Sequence, residues 1–161
     1  MHASATRQAG GSDMELREIM TPRVVTADTE TEVRAVARLM RDHNVGSVVI
    51  CSPTGVPAGM ITDRDLALAV VADERPGAEP VGDYVSSPLI TGEPAMDLEE
   101  AAALMVQHRV RRLPVVDGDE LVGIVTLDDI AVRSGNLEVA QRMTHQVIEG
   151  ALPEFFFHER G

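Results

Sequence analysis

The stretch GMITDRDLA at residues 59–67 recurs as GIVTLDDIA at residues 123–131. Both copies place glycine, two aliphatic residues, threonine, two variable residues, aspartate, an aliphatic residue and alanine in the same order. Self-similarity at a fixed spacing indicates repeated units of structure. The chain is therefore a tandem repeat, and each copy keeps a hydroxyl and a carboxylate three residues apart.

An amphipathic helix precedes this motif in each copy. The residues before His43 align with those before His108. Apolar residues recur there at the i, i+3, i+4, i+7 spacing of one helix face. They are Val33, Val36, Ala37 and Met40 in the first copy, and Leu98, Ala101, Ala102 and Met105 in the second. Thr29, with Glu32 three residues later, predicts a capping box at the start of the first helix.

Two strands joined by a turn follow each helix. They are SVVIC and AGMIT around the turn SPTG, and LPVV and LVGIVT around the turn DGDE. A short extended piece precedes each helix, at residues 24–26 and 89–91, and a second helix follows each motif threonine. A copy of roughly 50–60 residues cannot cover its own strands. The sequence therefore predicts an α/β (α+β) fold in which both copies pack as one body.

Composition and repeat boundaries predict five segments. They are a flexible tail (1–13), repeat 1 (14–73), a linker (74–80), repeat 2 (81–133), and a C-terminal helix over about 137–152 with an aromatic tail (134–161 together).

The charge balance excludes several classes of function. The 26 acidic and 14 basic side chains give a formal net charge of −12, which disfavours nucleic-acid binding. The chain contains no lysine, which excludes P-loop, kinase and Schiff-base chemistry.

One cysteine allows neither an internal disulfide nor a cysteine-cluster metal site. Neither a membrane span nor a signal peptide is evident, so a cytoplasmic protein is expected.

These motifs resemble the tandem cystathionine-β-synthase (CBS) domain pair, or Bateman module. The matching pieces are LREIMTP, HNVGSVVI and GMITDRDLA, then VGDYVSS, HRVRRLPVVD and GIVTLDDIA. The resemblance covers about residues 14–133, and is close to small stand-alone bacterial members. It implies two β-α-β-β-α repeats in pseudo-twofold contact and a homodimer. It also implies an adenosine ligand (AMP, ADP, ATP or S-adenosylmethionine) in clefts between the repeats.

Thr62 with Asp65, and Thr126 with Asp129, are the main candidate site residues. Each threonine would end a strand and each aspartate would lie in the first turn of the next helix, so their side chains converge. An ionised carboxylate accepts two hydrogen bonds, which suits the vicinal hydroxyls of a ribose. The alternative is that both residues only cap the helix.

Positive charge concentrates in HRVRR, at Arg109, Arg111 and Arg112. Guanidinium groups suit phosphates, and the resemblance implies that Arg111 and Arg112 contact nucleotide phosphate. The alternative is attraction to a helix C-terminus and to nearby acids. The first copy has Gly46 and Ser47 in the equivalent places, with Arg64 as a partial substitute, so two unequal sites are expected.

The resemblance also implies that the extended pieces supply an apolar slot for adenine. Its residues are Met20, Thr21 and Val25 in the first copy and Val85, Ser86 and Ile90 in the second, with Tyr84 as the one possible ring. Plain core packing is the alternative for each of them.

A non-enzymatic sensor with an unknown protein target and no required cofactor is the resulting hypothesis. No catalytic set can be assembled; His43 and His108 are interpreted as helix-end residues rather than metal ligands, and Cys51 as a small core residue. The rival hypothesis is a dimeric scaffold with vestigial sites that acts through Phe155, Phe156 and Phe157. Those aromatic residues are expected to anchor on the chain itself, on a dimer mate or on a partner.

Overall fold

The computed structural model describes residues 14–85, 88–133, 141 and 145–146. They form two compact units, and each unit combines stretches that are distant in sequence. The first unit contains the described residues up to Met20, then Gly92–Leu113, then those from Val125 onward. The second contains the described residues of Thr21–Thr91 together with Pro114–Ile124. The predicted tail at 1–13 and nearly all of the predicted segment 134–161 lie outside the described residues.

Short helices and strands alternate along the chain. The helices are α1 (Leu16–Ile19), α2 (Val33–His43), α3 (Asp63–Leu66), α4 (Leu98–His108) and α5 (Leu127–Arg133). The strands are β1 (Thr26–Asp28), β2 (Ser47–Cys51), β3 (Pro57–Thr62), β4 (Arg112–Asp117) and β5 (Glu120–Thr126). A π-helical segment, Ala67–Ala72, continues α3, and Val81–Tyr84 forms a 3-10 helix. This mixed content confirms the predicted α+β fold class, although residues 89–91 form no strand.

The first sheet has the strand order β1-β2-β3. β1 runs parallel to β2, and β2 runs antiparallel to β3 with Ser47 opposite Thr62. Val48 and Ile50 of β2 belong to the same buried cluster as the apolar face of α2. The core cluster of this unit consists of Val33, Val36, Met40, Val48, Ile50, Ile61, Leu66 and Val81. Ala37 is exposed instead of lying on the buried face as predicted, and Leu39 packs against the core.

The predicted capping box of Thr29 and Glu32 is wrong. Glu32 is the N-cap of α2, and its side chain makes no capping hydrogen bond. The first amides of the helix instead donate to backbone carbonyls of the predicted linker: Val33 N to Glu79 O at 3.0 Å, and Arg34 N to Gly77 O at 2.9 Å. These two carbonyls lie more than 40 residues away from the helix start in the chain. A local sequence pattern therefore could not predict them as capping partners.

A side-chain cluster fixes the linker near its end. Tyr84 Oη donates a hydrogen bond to Glu79 Oε2, and Arg75 Nη2 lies 3.4 Å from the same oxygen. The Arg75 guanidinium also lies 4.7 Å from the centroid of the Tyr84 ring, within cation–π range. Tyr84 and Val85 pack against the core of the second unit.

In the first unit, α1 packs against the segment that leads into α4. Leu16 N donates to Met96 O at 2.9 Å and Arg17 N to Pro94 O at 3.1 Å. Gly92 lies so close to this contact that an added Cβ would be 2.7 Å from Leu16 Cδ1. The buried face of α4 follows the predicted pattern: Leu98, Ala101, Ala102 and Met105. None of the helices in the described part of the chain is long and apolar enough to cross a membrane.

Candidate functional site

In the first copy, Thr62 and Asp65 form a reciprocal capping box at the start of α3. Asp65 Oδ2 accepts hydrogen bonds from Thr62 N at 2.8 Å and from Thr62 Oγ1 at 2.7 Å. Asp65 N donates in return to Thr62 Oγ1 at 3.2 Å. Two of these three bonds end on Oδ2 and therefore hold the carboxylate in one orientation. Its second oxygen, Oδ1, has no hydrogen-bond partner among residues that the structure describes.

The second copy repeats this geometry within 0.1 Å. Asp129 Oδ2 accepts from Thr126 N and from Thr126 Oγ1, both at 2.8 Å, and Asp129 N donates to Thr126 Oγ1 at 3.2 Å. The capping alternative is thus part of the structure in both copies. It leaves the ligand hypothesis open, because each box uses only one carboxylate oxygen. The threonine hydroxyl donates its proton to the carboxylate within the box, so it is not available to a ligand while the box is formed.

The residue whose carbonyl accepts a hydrogen bond from the first amide of each helix differs between the copies. Arg111 O accepts a hydrogen bond from Leu127 N at 3.1 Å, at the first turn of α5. Gly46 O accepts the equivalent bond from Asp63 N, also at 3.1 Å, at the first turn of α3. The backbone therefore brings Arg111 next to the Thr126–Asp129 box, whereas the first copy has a glycine at that place.

The other predicted cationic residues are arranged less specifically. Arg111 and Arg64 are exposed, and Arg112 is half-buried at the start of β4. Within the described ranges, none of these three side chains forms an ion pair. Arg109 is the left-handed C-cap of α4, with φ of 55°.

The predicted adenine-slot residues are only partly accounted for. Thr21 exchanges two backbone hydrogen bonds with Ile124, at 2.9 and 3.0 Å, two residues before Thr126. Val25 and Val85 pack against the core of the second unit, as the core-packing alternative requires. Met20 and Ile90 are half-buried, and Ser86 lies outside the described residues.

Two grooves in the second unit are lined by chain neighbours of the predicted adenine-slot residues Thr21, Val25 and Ile90, but by none of the predicted site residues themselves. One, of about 330 Å³, is lined by Val56–Ala58, Pro88, Leu89, Thr91, Val116, Gly118 and Asp119. The other, of about 490 Å³, is lined by Pro22–Val24, Thr26, Cys51, Gly55, Glu120 and Leu121. Both lie at the hairpin-turn end of β3 or β5, the opposite strand end from the threonine of the box.

The residues set aside from the site occupy structural positions. His43 and His108 are the last residues of α2 and α4, and both are exposed. Cys51 ends β2 and is half-buried; burial, and secondly the charge of Asp28, raise the pKa of its thiol. The described residues contain no group of three or more His, Cys, Asp or Glu that could hold a metal ion.

Arg133 lies beside the candidate site and was not singled out from the sequence. Its Nε lies 3.7 Å from Asp129 Oδ1, and its Nη1 donates to Ile19 O at 2.8 Å. The spacing of four residues from Asp129 was a readable signal, because i and i+4 are neighbours on a helix. The contact with Ile19 was not readable, since it joins residues that lie 114 positions apart in the chain.

Comparisons with known proteins agree with the two-copy arrangement. A family model described as the CBS domain matches residues 16–72 and 81–134. The CBS domain-containing protein YhcV of Bacillus subtilis (strain 168) is 44% identical over 125 residues, which cover 78% of this chain and 89% of that protein.

Two solved structures show the same fold with different occupants. One is Hypoxic Response Protein I with two coordinated zinc ions, which is 32% identical in sequence and superimposes with a TM-score of 0.67. The match covers 73% of this chain and 97% of that protein. The other is a CBS domain protein from Pyrobaculum aerophilum complexed with AMP, which is 23% identical in sequence and has a TM-score of 0.72. That match covers 80% of this chain and 99% of the other protein.

Proposed function

Because this chain belongs to the CBS-domain family and carries two such repeats, we propose that it is a non-enzymatic sensor of an adenosine-containing ligand. The observation that carries this proposal is the pair of oriented carboxylates. In Asp65 and in Asp129, Oδ2 accepts hydrogen bonds from the threonine of the same box. Among the described residues Oδ1 of either aspartate accepts no hydrogen bond, and Asp129 Oδ1 has only the guanidinium of Arg133 at 3.7 Å, so Oδ1 can accept a hydrogen bond from a ribose hydroxyl.

Adenosine compounds fit this acceptor better than a metal ion does. A fixed carboxylate is a suitable partner for a hydroxyl pair, and AMP occupies a structural relative of the same fold. Zinc occupies another relative. Zinc sites in proteins need three or four nitrogen, sulfur or carboxylate ligands in close proximity. The proposal therefore rests on the carboxylate geometry, and the described residues contain no group of three or more metal-ligating side chains.

The two boxes should bind ligands of different charge. Arg111 lies next to the box of Asp129 through its bond to Leu127. Gly46, at the equivalent place of the first copy, brings no charge. We expect the second-copy site to require a phosphate group, and the first-copy site to accept S-adenosylmethionine or adenosine.

Calorimetric titration with ATP, AMP and S-adenosylmethionine tests the proposal. A lost hydrogen bond to a charged acceptor costs roughly 1.5–3 kcal/mol, so Asp65→Asn or Asp129→Asn should weaken one binding event by about 10- to 150-fold. Asp63→Asn and Asp128→Asn are matched controls, because they remove an exposed charge from the same helical turns without touching a box. Both controls should bind as the wild type does.

The double change Arg111→Ala/Arg112→Ala should weaken ATP binding more than S-adenosylmethionine binding. If no adenosine compound binds the wild type below about 1 mM, the sensor proposal fails. The scaffold function of the aromatic residues Phe155–Phe157 then becomes the better hypothesis. A dimer that does not respond to ligands, and weakens when residues 154–161 are removed, would support that scaffold function.

A further inference from the structure

The two boxes differ in what lies one helical turn after the aspartate. Arg133 follows Asp129 by four residues, and its Nε lies 3.7 Å from Asp129 Oδ1. The equivalent position of the first copy is Ala69, a buried residue that carries no charge. The free oxygen of Asp65 therefore faces no cation among the described residues, whereas the same oxygen of Asp129 faces a guanidinium group.

Arg133 also reaches another element of the first unit. Its Nη1 donates a 2.8 Å hydrogen bond to the carbonyl of Ile19, the last residue of α1. Carbonyls at a helix C-terminus lack partners within the helix, so a side-chain donor satisfies one of them. Arginine suits this dual role because its planar, permanently charged fork presents several donors at once.

From these contacts we infer that Arg133 is a positioning residue that couples the Asp129 carboxylate to α1. The inference deepens the proposed sensor function and rests on it for the ligand, but the coupling itself requires none. Asp129 Oδ2 is already occupied by Thr126. A ligand hydroxyl must therefore use Oδ1, the oxygen that attracts Arg133.

Competition for Oδ1 gives the coupling its direction. The separation of 3.7 Å exceeds a hydrogen bond, so the ion pair is loose and a hydroxyl donor can replace it. When a ligand hydroxyl binds Asp129 Oδ1, the Arg133 guanidinium is held less firmly. Its hydrogen bond to Ile19 O then weakens, and the end of α1 is held less firmly as well. Ligand binding at Asp129 thus loosens α1, and by reciprocity a firmly held α1 opposes binding.

A double-mutant cycle without ligand tests the coupling. Hydrogen exchange is measured at the amides of residues 16–20 in wild type, Arg133→Gln, Asp129→Asn and the double variant. Both single variants should exchange faster, and Asp129→Asn should add nothing once Arg133 is gone. Arg41→Gln is the control, since it breaks an exposed arginine–aspartate pair elsewhere and should leave these amides unchanged. Additive effects of the two changes would overturn the inference.

Titration with AMP and S-adenosylmethionine adds the ligand arm. In Arg133→Gln the Kd of the Asp129 site should fall by about two- to fivefold, the size that a half-exposed ion pair supports. Ligand should then no longer alter exchange at residues 16–20, and the Asp65 site should be unaffected. Arg133→Lys keeps the positive charge but lacks the planar guanidinium. It should still compete with the ligand for Asp129 Oδ1, while ligand binding should no longer alter exchange at residues 16–20.

The outcomes separate the two ideas. If no ligand binds but the cycle is non-additive, the sensor function fails and the coupling stands. If ligand binds, and Arg133→Gln shows the wild-type Kd with the wild-type change in exchange, the coupling fails and the sensor function stands.

Discussion

The threonine of each box is a stabilising residue as well as a candidate site residue. Its hydroxyl accepts from the aspartate amide and donates to the aspartate carboxylate. Thr62→Val and Thr126→Val keep the shape and remove both bonds. Loss of an N-cap hydroxyl costs about 0.5–2 kcal/mol, so each variant should lower the free energy of unfolding by that amount in urea titrations. The two losses should be similar, because the two boxes have matching distances.

Thr91→Val is the matched control for these variants. Thr91 is half-buried, and its hydroxyl makes no hydrogen bond within the described ranges. It should change the free energy of unfolding by less than about 0.5 kcal/mol. Box variants that unfold like this control would show that the hydroxyls contribute nothing to stability.

Cys51 offers a second test on a single side chain. Burial, and then the negative charge of Asp28, hold its thiol pKa above the ordinary value. Less thiolate is therefore present at a given pH, and alkylation of this one cysteine should reach its half-maximal rate at a higher pH than in the urea-unfolded chain. The linked stability is fully present below the unfolded thiol pKa and is lost as pH rises through the folded value.

Asp28→Asn separates the two causes of this raised pKa. The asparagine side chain keeps an oxygen that can accept the hydrogen bond from Glu30 N, as Asp28 Oδ1 does in the wild type. It removes only the negative charge. The alkylation midpoint should fall part of the way and remain above that of the unfolded chain, because burial is the larger cause. Equal midpoints in the folded and unfolded chain would contradict this account.

The contact between α1 and the segment before α4 depends on a missing side chain. A Cβ on Gly92 would lie 2.7 Å from Leu16 Cδ1 and 2.9 Å from Leu113 Cδ2. Gly92→Ala should therefore cost about 1–3 kcal/mol of unfolding free energy through overpacking. For a chain of this size that lowers Tm by several degrees, which calorimetry can measure.

Gly77→Ala is the control at this scale. The nearest atom to its added Cβ is Arg34 Cβ at 3.5 Å, an ordinary contact. The change should be neutral or slightly stabilising, because alanine restricts the unfolded chain. If Gly92→Ala is equally neutral, then α1 can shift to make room, and the packing argument is wrong.

The repeat pattern predicted most elements, since their cause is local. Apolar spacing placed α2 and α4, and the β-branched runs placed β2 to β5. The start of α2 was mispredicted, because its amides bond to Gly77 and Glu79 rather than to a nearby side chain. At the site, the pairing of each threonine with its aspartate was readable from three-residue spacing. The bond from Arg133 to Ile19 depends on the tertiary fold.

Self-association is the prediction that concerns the whole molecule. Leu68, Val71 and Val132 are 48%, 75% and 81% exposed, and Leu68 and Val132 occupy equivalent places in the two copies. Burying large exposed apolar side chains favours association, so each of the helices that carry them is a candidate dimer contact. Sedimentation at micromolar concentration should give about twice the chain mass of 17.3 kDa. Leu68→Glu/Val132→Glu should shift this towards the monomer.

Thr54→Glu is the comparison variant for that experiment. It adds the same charge in the exposed β2–β3 turn and should leave the dimer intact. A wild type that remains monomeric at about 100 μM would remove the basis for a dimer.

The interleaved make-up of the two compact units has a consequence for where the polypeptide can be severed. A nick near Gly77 would leave residues 14–20 on one fragment, while Gly92–Leu113, their companions in the first unit, remain on the other. In the same way Pro114–Ile124 would be parted from most of the second unit. Each half would then lack part of both hydrophobic interiors. The halves should stay associated after proteolysis and reassemble when co-expressed.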